Sequence, residues 1–203
     1  MNSTARRSVW SFGRTDHWFL QIVLSVIAIG SIIGLVAGPI ARWINGDPVP
    51  VDYSGKATID ALNRAGLKYD DVSTTVQVPV GEVGPRIWSL LPDLALCGLV
   101  LATLWLVFGV ARDISRGNPF VPQNVRRIRT IAALALVGSI VVPMLTSMGQ
   151  AMVVAGTALD AIQPQGFSVT FPLWPIGAAL VVALIAEAFA AGDRMRDDLE
   201  GVI

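Results

Sequence analysis

Two acidic residues, Asp93 and Glu187, lie inside long apolar stretches of this 203-residue chain. A carboxylate at membrane depth is costly unless it is protonated, paired or close to water, so both are candidates for moving protons or cations. A structural ion pair is the simpler alternative, and for Glu187 we expect a partner among Arg112, Arg126 and Arg129. For Asp93 we expect a capping role or a bond to a segment outside the membrane. The two lie toward opposite faces of a bilayer, so we do not expect one acid–base pair.

Other residue types that carry out chemistry are scarce. His17 is the only histidine and Cys97 the only cysteine, so neither a metal site of the usual ligands nor a disulfide within one chain is expected. No serine has a well-placed histidine for a catalytic triad, and no glycine-rich phosphate-binding loop is present. The sequence therefore predicts no catalytic residues, no cofactor, no metal and no enzymatic activity.

Apolar residues dominate the elements that must position these side chains. Hydrophobic residues make up 53% of the chain and charged residues 15%, whereas a soluble domain carries about 25% charged residues. Four stretches are long enough to cross a hydrocarbon core, which takes about 20 helical residues. They are residues 18–41, 87–111, 128–151 and 171–191. Since lipid leaves an open strand unbonded, we predict an all-α membrane protein of four transmembrane helices.

Basic residues are distributed unevenly between the segments that flank these stretches. Ten of the 15 lie in or beside residues 1–17, 112–127 and 192–203, and five lie in residues 42–86. Short cytoplasmic segments of membrane proteins carry an excess of lysine and arginine. We therefore predict a plasma-membrane protein with both termini and the 112–127 linker in the cytoplasm. Residues 42–86 and 152–170 would then lie outside.

Residues 42–86 differ in character from the apolar stretches. Residues 49–53 and 74–80 alternate as strands do, and residues 58–65 predict a short helix that ends at Gly66. About forty residues bury little core alone. We therefore expect a small α+β cap that rests on the outer ends of the helices.

The first apolar stretch carries three glycines spaced four residues apart, Gly30, Gly34 and Gly38. This spacing places them on one helix face, where another backbone can approach closely. Packing within the same chain and a seam between two copies of the chain both fit the pattern.

Arginines dominate the linker between the second and third stretches. Cations at the start of a helix oppose its dipole, so the dipole does not explain Arg126, Arg127 and Arg129. Retention of topology with anionic lipid headgroups, or docking of a cytosolic partner, does explain them. Asn118 or Asn124 could cap the helix that follows. The predicted residues for docking of lipid or partner are Asn118, Pro119, Phe120, Asn124, Arg126, Arg127 and Arg129.

The same linker resembles that of a known bacterial membrane family, called domain of unknown function 2975. The matching residues are Gly117-Asn118-Pro119-Phe120, Asn124, Arg127-Ile128-Arg129 and Ile131-Ala132, with Glu187-Ala188-Phe189, Gly192 and Val202-Ile203 near the end. The resemblance implies a bacterial plasma-membrane protein of unassigned activity. It also implies a small helix-turn-helix regulator as a neighbour and partner.

These observations favour a non-enzymatic sensory or regulatory protein whose cytoplasmic face holds or releases a helix-turn-helix regulator. One alternative is a small transporter or channel subunit that uses Asp93 and Glu187. A structural subunit of a larger membrane complex is another. The expected partners are the lipid bilayer, the cytosolic regulator and a second copy of the chain, with no direct contact to nucleic acid.

Overall fold

The chain folds into two compact units, each built from separate parts of the sequence. The computed structural model describes residues 14–55, 64, 66, 72–117, 121–157, 159–160 and 169–200, with only the backbone at 14–17, 55, 72 and 193–200. We call the first unit the clasp unit; it comprises Met1–Ile32, Gly98–Ser139 and Pro172–Ile203. The second, which we call the sheet unit, comprises Ile33–Cys97 and Ile140–Phe171.

Helices dominate the described part of the chain. They are α1 (Arg14–Ile32), α2 (Gly38–Ile44), α3 (Val83–Ser115), α4 (Pro122–Val154) and α5 (Leu173–Glu200), with a π-helical segment, Ile33–Ala37, joining α1 to α2. A proline inside a helix clashes with the carbonyl four residues before it, and the wider π turn just ahead of Pro39 accommodates that ring. The two short helices and the π segment therefore continue one another.

Four of these helical stretches are long and apolar enough to cross a membrane, as predicted. They are Trp18–Ile44, Val83–Ser115, Pro122–Val154 and Leu173–Gly192, of 27, 33, 33 and 20 residues. A 33-residue helix is about 50 Å long, more than a hydrocarbon core of about 30 Å requires. α3 and α4 are accordingly longer than the predicted spans 87–111 and 128–151.

The helix ends follow local chemistry. Gly46 and Gly117 have positive φ angles of 75° and 81°, which a glycine adopts without strain. Their amides bond back to the carbonyls of Trp43 and Ile114, which closes the last turns of α2 and α3. α4 then begins at Pro122, whose missing N–H has no partner in a first helical turn anyway.

A two-stranded antiparallel sheet lies between α2 and α3 in sequence. β1 (Val49–Gly55) pairs with β2 (Val72–Val78), with Val51 opposite Val76 and Asp52 opposite Thr75. The strands were predicted at 49–53 and 74–80. β2 ends earlier because Pro79 has no N–H to extend the ladder. The predicted helix 58–65 lies largely outside the described residues.

The sheet packs on the end of α4. Val51, Val78 and Val80 form a buried cluster with Val153 and Val154, and Val51 and Val154 are fully buried. Burying each such side chain stabilises the fold by about 1.5–3 kcal/mol. The small sheet therefore gains its core from the helix, as a segment too short for a core of its own requires.

Within the sheet unit, α3 and α4 approach closely at a proline and a glycine. Pro92 removes the N–H that would bond the carbonyl of Trp88. A Cβ added at Gly149 would lie 2.7 Å from that carbonyl oxygen. The glycine therefore permits a Cα–H···O contact between two helix backbones at this point.

We predict that Gly149→Ala destabilises the protein by about 1–3 kcal/mol, because the added methyl group meets backbone that must shift. The free energy of unfolding in mixed detergent micelles measures the effect. Gly98→Ala is the matched control, since a Cβ at Gly98 in α3 meets nothing within 4 Å. Equal stability of the two variants would contradict the close approach.

Candidate functional site

Asp113, Asn124, Arg127 and Gly109 form a compact cluster in the clasp unit, which we call the arginine clasp. The Arg127 Nη1 donates to Asp113 Oδ2 at 2.6 Å and to Asn124 Oδ1 at 2.9 Å. The Arg127 and Asp113 side chains are only 21% and 19% exposed. Charge-assisted bonds between partly buried groups are stronger than exposed ones, so the clasp ties the end of α3 to the start of α4.

Gly109 provides the room that the clasp needs. A Cβ at this position would lie 2.8 Å from Arg127 Cζ and 2.9 Å from its Nε. Any larger residue would push the guanidinium away from its partners. Gly109 was not singled out from the sequence, because its contact depends on which face of α3 meets α4.

Asn124 lies inside α4 and is completely buried. Its amide N–H donates to the Val121 carbonyl at 2.8 Å, and its side chain accepts from Arg127. The expectation that Asn124 caps the helix is therefore wrong, since α4 already begins two residues earlier at Pro122. Asn118, the other expected cap, lies outside the described residues together with Pro119 and Phe120.

Arg129 and Glu187 form a second ion pair in the clasp unit. Arg129 Nη2 donates to Glu187 Oε1 at 2.8 Å, joining α4 to α5. The two side chains are 55% and 60% exposed. In water such a pair contributes little, but next to lipid the unpaired carboxylate would be costly. Arg129 is one of the three partners considered for Glu187.

Three arginines of the linker region keep exposed side chains. They are Arg112 and Arg116 near the end of α3 and Arg126 near the start of α4. Among the residues that the structure describes, neither ion pair involves any of them. The clasp unit therefore separates the linker arginines into two bonded inward and three left on the surface.

A polar cleft of about 120 Å³ lies in the sheet unit between β1, α3 and α4. Ser89, Asp93, Thr146 and Gln150 are its polar lining residues within the described chain. Asp93 is half-buried, in the helical turn that follows Pro92. Asp93 thus lies beside the strand segment, on the side where a bond to that segment was expected.

Arg86 is a buried cation that sequence reasoning counted only as an outer charge. It is 9% exposed, and its Nε donates to the Val80 carbonyl at 2.9 Å and its Nη1 to the Trp43 carbonyl at 3.1 Å. The Trp43 carbonyl belongs to the last turn of α2, where a cation also meets the negative end of the helix dipole. Arg86 therefore ties α2, the strand segment and α3 together.

The three glycines of the first membrane stretch make few close contacts. A Cβ at Gly30 or Gly34 would meet nothing within 4 Å among the described residues, and at Gly38 it would lie 3.4 Å from the Ile33 carbonyl of its own helix. A seam with a second copy of the chain stays a prediction.

Residues 74–203 match a protein family described as protein of unknown function (DUF2975). The chain belongs to the DUF2975 family. The match confirms the resemblance drawn from the Gly117–Phe120 turn and the Arg127-Ile128-Arg129 sequence. Comparison with curated proteins and with solved structures gives no match.

The DUF2975 match covers the arginine clasp, the Arg129–Glu187 pair, Arg86 and Asp93. It leaves out β1 and the glycines of the first membrane stretch. The residues that hold helix ends together therefore lie within the family region. Its strongest sequence signature, around Asn124 and Arg127, coincides with a structural clasp rather than with a surface.

We predict that Arg86→Met lowers the free energy of unfolding by roughly 1.5–3 kcal/mol, because it removes two bonds from a charged group and leaves two carbonyls without that donor. Methionine keeps the apolar stem, so lost packing contributes little. Arg112→Met, at an exposed arginine, should stay within about 0.5 kcal/mol of the unsubstituted protein. Similar losses for both variants would argue against a structural role for Arg86.

Proposed function

We propose that this DUF2975 protein is a bacterial plasma-membrane protein with four transmembrane helices, both termini inside and the sheet outside. We further propose that it is a non-enzymatic regulatory protein that binds a helix-turn-helix regulator at its cytoplasmic face. The orientation rests on the excess of arginine beside the termini and the 112–127 linker.

The exposed side chains of Arg112, Arg116 and Arg126 carry this proposal. Arg127 and Arg129 are engaged by Asp113 and Glu187, so they are poorly placed to receive a partner. The other three leave a cationic surface at the linker. Such a surface attracts an acidic face of a protein or an anionic headgroup. We choose the protein, because the family resemblance implies a regulator as neighbour.

The bonding of Glu187 weighs against the transporter alternative. A carboxylate that relays protons or cations must change partners, and the 2.8 Å bond to Arg129 favours its ionised, fixed form. Glu187 and Asp93 also belong to different units. The regulatory proposal therefore assigns Glu187 to holding α4 against α5.

α4 offers a route between the two faces. Its first turns carry Asn124, Arg127 and Arg129 of the clasp unit, and its last turn carries Val153 and Val154 under the sheet. A signal that alters the sheet contacts would act on the same helix that holds the clasp. This supports a regulatory role in which the sheet receives the signal.

The test is capture of the regulator by the tagged full chain from cells of its own host, followed by reassembly from purified components. We expect a helix-turn-helix protein to be enriched with the unsubstituted chain. Combined Arg112→Gln, Arg116→Gln and Arg126→Gln should abolish that enrichment, because the cationic surface is removed while both ion pairs remain. Arg42→Gln, an exposed arginine of the sheet unit, is the control.

Reassembly in nanodiscs of zwitterionic lipid separates protein docking from lipid attraction. Binding of the purified regulator there would show that anionic headgroups are not required. Absence of any helix-turn-helix protein from the capture, or equal capture by the triple variant, would refute the proposed function.

A further inference from the structure

The polar cleft of the sheet unit has hydrogen-bond acceptors in excess. The Ser89 hydroxyl donates to the Arg86 carbonyl at 2.8 Å, and the Thr146 hydroxyl donates to the Val142 carbonyl at 3.0 Å. A hydroxyl has one proton, so both oxygens can offer the cleft only lone pairs. These two walls of the cleft therefore call for a donor.

Asp93 adds a carboxylate to the same wall. No hydrogen-bond donor among the described residues reaches it. The Arg42 guanidinium attracts it electrostatically, but Arg42 lines a separate, smaller cavity of about 50 Å³. The Gln150 amide, the donor group on the cleft wall, bonds to Asp52 Oδ2 at 3.4 Å. An ionised carboxylate half-removed from water needs a donor or a cation.

We infer that this cleft binds a small protonated primary amine. An ammonium group carries three N–H donors and one positive charge, which suits two hydroxyl oxygens and one carboxylate. A volume of about 120 Å³ exceeds the roughly 10–15 Å³ that one water needs, so a short carbon chain fits beside the ammonium group. The apolar rim from Val49, Pro50 and Pro92 would contact that chain.

The amine site deepens the proposed function, since it gives the sheet a ligand to sense. It does not depend on any cytosolic partner for its test. Binding can therefore fail while regulator capture succeeds, and the reverse.

The experiment uses the purified full chain in detergent with ethylammonium chloride as the probe. Isothermal titration calorimetry should give a saturable binding heat, and the unfolding temperature should rise with probe concentration. Tetramethylammonium chloride, which has the charge but no N–H donor, and sodium chloride at equal ionic strength should give neither effect. An equal effect of either salt would overturn the proposal, as would no saturable binding of ethylammonium.

Variants locate the site. Asp93→Asn should weaken ethylammonium binding by about tenfold or more, because a charge-assisted bond is lost. Thr146→Leu fills the cleft without changing charge and should abolish binding, which decides the matter if Asp93→Asn does not fold. Glu82→Gln, at an exposed acid of the same unit, should bind as the unsubstituted chain does. Undiminished binding by the folded Asp93→Asn or Thr146→Leu variant would place the amine elsewhere and overturn the assignment.

Discussion

The Arg127 guanidinium holds together the end of α3 and the start of α4, where a carboxylate and a fully buried amide would otherwise lack a donor. Each member of the clasp needs the others. The guanidinium supplies donors in a rigid fork, Asp113 and Asn124 supply acceptors, and Gly109 supplies space. Because the clasp engages Arg127, the linker keeps its remaining positive charge on the surface at Arg112, Arg116 and Arg126. The structural and the proposed docking roles of the arginines are therefore two results of one arrangement.

The sheet unit follows the same rule with donors in short supply. Arg86 spends its buried N–H groups on carbonyls of Val80 and Trp43, and the hydroxyls of Ser89 and Thr146 donate to their own helices. What remains around Asp93 is a set of acceptors. An unsatisfied polar group is costly away from water, so the cleft favours a ligand rich in donors. α4 contributes to both units and gives the regulatory proposal its physical link.

The sequence predicted the elements better than the contacts between them. Long apolar stretches require helices in lipid, and alternation of apolar residues predicted both strands; only Pro79 and the pairing partner shifted the second strand. The linker signature identified the family. It did not distinguish Arg126 from Arg127, because adjacent residues differ by about 100° around a helix and the partner, Asp113, is set by packing of α3 on α4. Arg86 and Gly109 were missed for the same reason. Pro92 was an available signal for a free carbonyl, but its neighbour Gly149 lies in another helix.

A double-mutant cycle on Asp113 and Arg127 tests the clasp most directly. The free energies of unfolding of Asp113→Ala, Arg127→Ala and the double variant would be measured in mixed detergent micelles, beside a control cycle on Asp113 and Arg126. The clasp predicts a coupling energy of about 1–3 kcal/mol for Asp113 with Arg127 and less than about 0.5 kcal/mol for Asp113 with Arg126. Equal coupling in both cycles, or none in the first, would contradict the view that Arg127 holds the two helices together.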